Sequence, residues 1–293
     1  MLKQRIPVTL AGLLAAPVLL TGCGGSSSSG SSTGSLSVNI TDAAVDNADE
    51  VVVSFTGITI KPANQSAVTF SFTEAKSIDL LQLQGNNSTS LITDEEVLAG
   101  RYNWVRLEVA DAYIVVGGQQ FDLTIPSASQ TGLKLVSGFD VLADSSSSFT
   151  IDFDLRKSVI ENNQGYQLKP TLRLIDNSES GSIAGTISSN VLTGCANATA
   201  ADDGAVYLYA GSDITPIDVQ GNESDPITSS MISVDGDSNY AFELGFLPVG
   251  DYTITLVCDA TADDPEQADT LEYTSTANVS VTAGTETGFN FTL

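Results

Sequence analysis

Asp152, Asp154 and Arg156 alternate along one predicted strand, and two-residue spacing sets all three on one face. A carboxylate pair beside a guanidinium could hold a metal or a substrate. A cross-strand charge ladder with Lys169, Arg173 or Lys134 would account for the same pattern and is the favoured reading. A second group of acids, Asp259, Asp263, Asp264, Glu266 and Asp269, crowds a single loop. Oxygen-rich loops on β-sandwiches bind calcium at roughly 10⁻⁴–10⁻³ M in extracellular modules, which makes these five the calcium candidates. A solvated acidic loop is the competing reading. Asp235-Gly236-Asp237-Ser238-Asn239 opens like a calcium loop but has Tyr240 and Phe246 where an EF-hand needs Gly and Glu. It reads as a hairpin turn. Tyr102 and Trp104 alternate on another strand and could form a sugar platform, although a lone Trp in a sandwich more often plugs the core. The chain has no histidine, which removes the commonest general base and the Ser-His and Cys-His pairs. No catalytic residue is assigned.

These side chains need strands to hold them. From Leu36 onward the apolar pattern has period two, broken by turn residues. Strands are predicted over 36–40, 50–60, 67–72, 103–110, 113–116, 119–125, 131–139, 149–155 and 167–175, with Gly57 as a bulge. In the 149–155 run Phe149, Ile151, Phe153 and Leu155 face inward and Thr150, Asp152 and Asp154 outward. One short helical candidate spans 78–83. After a polar junction at 176–180, further strands are predicted over 181–187, 205–209, 229–234, 240–244, 251–258, 271–281 and 287–293. The expected fold class is all-β: two antiparallel β-sandwich domains of Ig/transthyretin-like type in tandem, over 36–176 and 177–293.

The N-terminal residues carry an expectation about the compartment. Lys3 and Arg5 precede an apolar run from Ile6 to Leu20, which is too short to span a bilayer comfortably and is closed by small residues, as in a secretory signal. Leu20-Thr21-Gly22-Cys23 resembles the lipobox of bacterial lipoproteins. The resemblance implies cleavage of residues 1–22, acylation of Cys23 and membrane attachment through its lipid. Residues 23–35 then form the lipidated Cys and a Gly/Ser tether reaching roughly 20 Å. Gly24, where an Asp would retain an enterobacterial lipoprotein in the inner membrane, implies the outer membrane in a Gram-negative organism. With Cys23 lipidated, Cys195 and Cys258 remain. They cannot complete a tetrahedral zinc site alone, and in an oxidising compartment they read as one disulfide worth on the order of 4 kcal/mol.

Charge is lopsided. There are 36 acidic and 11 basic residues, a net charge of −25, and beyond Arg173 no Lys or Arg at all. Such a polyanion repels nucleic acid and anionic lipid.

Two resemblances follow from the strand sequences. Thr41-Asp42-Ala43, the run from Val51 to Ile58, Ser77 to Leu81, Gly100 to Leu107, Thr131 to Leu135 and Ile151 to Lys157 together resemble bacterial domain-of-unknown-function family 4382. That resemblance covers 36–176 and implies a β-fold lipoprotein with no known reaction. Gly185-Thr186-Ile187, Asp237 to Phe242 and Leu247 to Ile254 are similar to carboxypeptidase-regulatory or transthyretin-like sandwiches, which are accessory modules.

The functional expectation is an envelope-anchored lipoprotein that binds or scaffolds at the cell surface or in the periplasm, with a polysaccharide or envelope protein as partner and no required cofactor. The alternatives are a carboxylate-based hydrolase of glycoside hydrolase type, which needs two carboxylates ~5–10 Å apart across a cleft, and a calcium-dependent adhesion module.

Overall fold

The computed structural model describes residues 32–43, 48–126, 132–163, 165–169, 171–196, 200–234 and 239–292. The leader, Cys23, most of the tether and residues 235–238 of the calcium-loop mimic lie outside the described residues.

In the first half, alternating and β-branched runs give β1 (Thr33–Ala43), β2 (Glu50–Pro62), β3 (Val68–Asp79), β4 (Thr89–Leu98), β5 (Gly100–Val116) and β6 (Gln119–Thr124). They continue as β7 (Leu133–Leu135), β8 (Phe139–Val141), β9 (Ser146–Asp154), β10 (Val159–Asn162), β11 (Gly165–Leu168) and β12 (Leu172–Asp176). One sheet runs β12-β9-β1-β4; the other runs β10-β11-β6-β5-β2-β3, with β7 and β8 also paired to β5. Leu36, Ile40, Phe149 and Ile151 from the first sheet meet Val53, Ile58, Val105 and Leu107 from the second in one core. Phe55 and Phe153 touch edge to face across it, 6.2 Å apart. Gly57 sits at a register shift, where a Cβ would come within 2.6 Å of the Phe70 carbonyl oxygen.

The second half contributes β13 (Ser180–Ile187), β14 (Ala205–Ala210), β15 (Thr228–Met231), β16 (Ser233–Val234), β17 (Tyr240–Pro248), β18 (Gly250–Val257), β19 (Tyr273–Val281) and β20 (Glu286–Gly288). Its sheets run β16-β17-β13-β20 and β15-β14-β18-β19. No sheet mixes strands of the two halves, and the hydrophobic clusters divide at the same point. Between them Asn177–Glu179 form a single turn capped by Asp176, whose carboxylate accepts from the Ser178 N–H at 2.9 Å. Cys195 and Cys258 are bonded, with Cα atoms 5.9 Å apart, and tie the segment after β13 to the end of β18.

The protein is an all-β, sandwich-type fold, but the pairing is not wholly antiparallel. β1 with β9, β6 with β11, and β13 with β20 run parallel. Each parallel partner arrives after a long connection, as parallel pairing requires. The helical candidate shrinks to a 3₁₀ turn over Leu80–Leu83, because Ile78 and Asp79 remain in β3. Leu155, predicted as the end of a strand, instead opens a helical turn over Leu155–Ser158. β4 and β10 have no counterpart in the predicted strands.

Candidate functional site

The chain order Asp152, Asp154, Arg156 does not survive as one face. β9 carries the two carboxylates on its outer side, each 3% exposed, because β15 and β17 of the second half pack near that sheet. Asp152 accepts from Arg173 Nε at 2.9 Å across the β9–β12 pair, as a charge ladder predicts. Asp154 pairs with Lys157 Nζ at 3.1 Å and caps the helical turn. Burial pushes the Asp154 carboxyl up, against the opposing pull of Lys157. Lys134 and Lys169 take no part in the ladder; Lys169 pairs with Glu266 at 3.5 Å.

Arg156 swings away, because the backbone has turned helical. Its guanidinium, buried at 4% exposure, crosses into the second half. There it donates to the Tyr207 hydroxyl and the Ala260 carbonyl, both at 2.9 Å, and lies over the Tyr207 ring at 5.2 Å. Tyr207 in turn donates to Asp263 Oδ2 at 2.5 Å. Lys157 adds a hydrogen bond to the Pro226 carbonyl, and Asn86 one to Glu243 at 2.5 Å. A buried, hydrogen-bonded seam thus joins the halves into one compact unit over 32–293.

Behind Asp263 lies an acid cluster. Carboxylate oxygens of Asp218, Asp263 and Asp269 fall within 4.8 Å of one another. Of the five calcium candidates, therefore, only Asp263 and Asp269 come together, and their third member, Asp218, was not legible in the sequence. Asp259 instead accepts from the Glu272 N–H at 2.8 Å, Asp264 from the Glu266 N–H at 3.0 Å, and Glu266 faces Lys169. The cluster's oxygens already have donors. Val219 N–H reaches Asp263 at 3.2 Å, Gln220 Nε2 reaches Asp218 at 2.6 Å, Asp269 N–H reaches Asp218, and Asp264 N–H reaches Asp269 at 2.7 Å. Calcium takes six to eight oxygens, and these donors occupy lone pairs a cation would need. Burial pushes the Asp263 carboxyl up to about 6; the Tyr207 hydroxyl and Arg156 oppose the rise. Burial, followed by Asp218, Asp263, Asp259 and Asp269, pushes the Tyr273 phenol far up, and its buried hydroxyl has no hydrogen-bond partner among the described residues.

Tyr102 and Trp104 do not point the same way. The register passes from Lys61 opposite Trp104 to Pro62 opposite Tyr102, which leaves Asn103 as an extra, exposed residue. Tyr102 therefore turns inward, 2% exposed, stacks on Phe139 at 4.9 Å and donates to the Leu98 carbonyl at 2.8 Å. Tyr102, not Trp104, plugs the core. Trp104 lies on the outer face, half-buried, with Lys134 Nζ 4.7 Å and Arg106 Cζ 5.6 Å from its ring centre. Lys61 stands across from it on β2, and Val136, two residues past Lys134, is 74% exposed.

A groove of about 700 Å³ runs beside Arg101, Asp140, the 145–148 serines, Asp176 and Glu179. Its acids are engaged in part, Asp140 with Arg101 at 2.8 Å and Asp176 with Ser178.

Comparison with known proteins gives one family. The family described as "Domain of unknown function (DUF4382)" matches residues 33–170. No curated protein is significantly similar to the chain. Among solved structures, a leucine-rich repeat protein from Bacteroides thetaiotaomicron aligns at 11% identity and TM-score 0.23, covering 90% of this chain and 26% of that one. A putative adhesin from Bacteroides ovatus aligns at 11% identity and TM-score 0.22, covering 88% and 89%. The minor pilin GBS52 of Streptococcus agalactiae aligns at 10% identity and TM-score 0.20, covering 87% and 94%. The chain spans about a quarter of the first of these.

Proposed function

Residues 33–170 are a DUF4382 domain, a family with no assigned reaction, and from that premise we propose that the chain is a non-catalytic binding module held to the bacterial envelope by a lipid on Cys23. One observation carries the reading. The acids best spaced for acid–base work, Asp152 and Asp154, are buried and paired with Arg173 and Lys157 in the seam between the halves. A hydrolase needs its two carboxylates on either side of a substrate; here each is neutralised by a cation of its own half, Arg173 and Lys157, on a face the second half packs against. The same seam holds the halves in one compact unit, which suits a module that presents a surface at the end of a tether.

Two measurements test this. Cys23→Ser should leave the protein uncleaved or soluble and abolish palmitate labelling, since the sulfur is the acyl acceptor. Fractionation of that variant with membranes at wild-type mass overturns the anchoring. Release of reducing ends from any polysaccharide by the purified protein overturns the non-catalytic reading and directs attention to the groove of Asp140, Asp176 and Glu179.

A further inference from the structure

We infer that the outer face of β2, β5 and β7 around Trp104 is a binding site for a carboxylated polysaccharide, a linear polyuronate in chemical terms. The inference rests on the reading of the chain as a binding module and supplies its ligand class.

Charge bookkeeping singles this face out. With 36 acids against 11 bases, every cation could have a carboxylate at hand. Arg101, Lys157, Lys169 and Arg173 do. Lys61, Lys76 and Lys134 have no ion-pair partner among the described residues; Lys76 is turned to the Ser90 and Leu91 carbonyls, whereas Lys61 and Lys134 flank the same indole. Lys61 is directly opposite Trp104 on β2, and Lys134 is opposite Arg106 on β7. Two inter-strand spacings of ~4.8 Å and a two-residue offset of ~6.8 Å along the strand put their backbones about 12 Å apart. Arg106 lies between them, held by Glu108 Oε1 at 2.8 Å, which also accepts from Thr59 at 2.8 Å.

The ring fixes the cations in place. Lys134 and Arg106 both lie within cation–π range of Trp104, so two long side chains are partly ordered before any ligand arrives. The Lys61 ammonium is likewise held, by the Pro62 carbonyl at 3.0 Å and by the Gln65 carbonyl. Exposed Val136 adds an apolar surface beside them. Spaced cations with an adjacent apolar shelf match a polymer that presents widely spaced carboxylates and C–H faces. A denser polyanion meets the repulsion of a body carrying a net −25. At physiological salt that repulsion is screened beyond about 8 Å, so a local cationic face still attracts a sparsely charged chain.

The test uses the full-length lipidated protein in detergent micelles, with polygalacturonate as probe and fully methyl-esterified polygalacturonate as the uncharged control. Polygalacturonate should bind, more weakly as NaCl rises, and the ester should not. Lys134→Glu and Trp104→Ala should each raise Kd at least ~10-fold, while Lys169→Glu, the same charge change on an exposed lysine that pairs with Glu266 and does not flank Trp104, should leave it within about twofold. Lys134 is exposed, so its variant carries the test even where Trp104→Ala is unstable; thermal unfolding confirms that each variant is folded. No binding, equal binding of the ester, or equal loss in Lys134→Glu and Lys169→Glu overturns the inference. So does binding of dextran sulfate alone. Self-association by sedimentation that Lys134→Glu abolishes, without polygalacturonate binding, assigns the face to a second copy instead. Cleavage of the bound polymer would overturn the non-catalytic reading and leave the site standing, and the Cys23 experiment is indifferent to all of these results.

Discussion

At the scale of single residues, Asp263 shows how burial turns a carboxylate into a pH sensor of stability. Its carboxyl is raised to about 6 in the folded protein, by burial first, against about 3.9 in an unfolded chain. Between those values the folded state binds a proton that the unfolded state has released, so stability falls as pH rises from about 4 to 6 and is level above. Arg156 and Tyr207 moderate this, and Asp218 adds to it. Asp263→Asn keeps an acceptor for Tyr207 and removes the charge. Urea midpoints of that variant should lose the decline seen in the wild type between pH 4 and 6; an unchanged slope would assign the effect elsewhere. Arg156 offers the complementary test. Its removal strands the Tyr207–Asp263 pair in a buried seam, and Arg156→Ala should cost roughly 3–5 kcal/mol by urea denaturation. Half of this chemistry was legible. Alternation offered Arg173, with Lys169 and Lys134, as a ladder partner for these acids, and the strand pair brings Arg173 to Asp152, 21 residues away in sequence. Nothing local could show Arg156 reaching partners 51 and 104 residues away.

At the scale of elements, period two located most strands, and its failures have specific causes. β4 escaped because its pattern is interrupted: Asp94 has φ of 51°, the pairing with β1 shifts register twice, and Glu95-Glu96 follows. The reading of Tyr102 and Trp104 failed on the single extra residue at Asn103. One recurrent device does show in the sequence once the structure points to it. Gly100-Arg101-Tyr102 and Gly250-Asp251-Tyr252 each open a strand, and each Tyr hydroxyl reaches back four residues, to Leu98 O at 2.8 Å and to Pro248 O at 2.5 Å. Both rings are buried, so each hairpin is pinned by an aromatic core residue and a hydrogen bond to the turn. Tyr102→Ala should therefore destabilise by roughly 3–5 kcal/mol, whereas Tyr102→Phe, which loses only the bond to Leu98, costs about 1 kcal/mol. Trp104→Ala should cost well under Tyr102→Ala in the same chemical denaturation series. The reverse order would place Trp104 in the core after all.

At the scale of the whole molecule, the two halves differ in charge more than in fold, and the seam is where that difference is managed. Residues 177–293 hold 18 acids and no Lys or Arg, so every cation that meets them comes from the first half. Arg156, Lys157 and Lys169 do this work at Tyr207, Pro226 and Glu266. Self-repulsion should weaken the second half at low ionic strength, and screening should restore it as the Debye length falls from ~10 Å at 0.1 M to ~3 Å at 1 M salt. The melting temperature should then rise smoothly with NaCl over that range. Arg156→Ala should steepen the dependence, and calorimetry should resolve two transitions where the wild type gives one. Calcium separates screening from a site. Because the oxygens of Asp218, Asp263 and Asp269 already accept protein N–H and O–H groups, millimolar calcium added in 0.5 M NaCl should leave the melting temperature unchanged. A saturable rise under those conditions, lost in Asp218→Asn with Asp269→Asn but retained in Asp264→Asn, would mean that a cation displaces those donors and that the acid cluster is a calcium site.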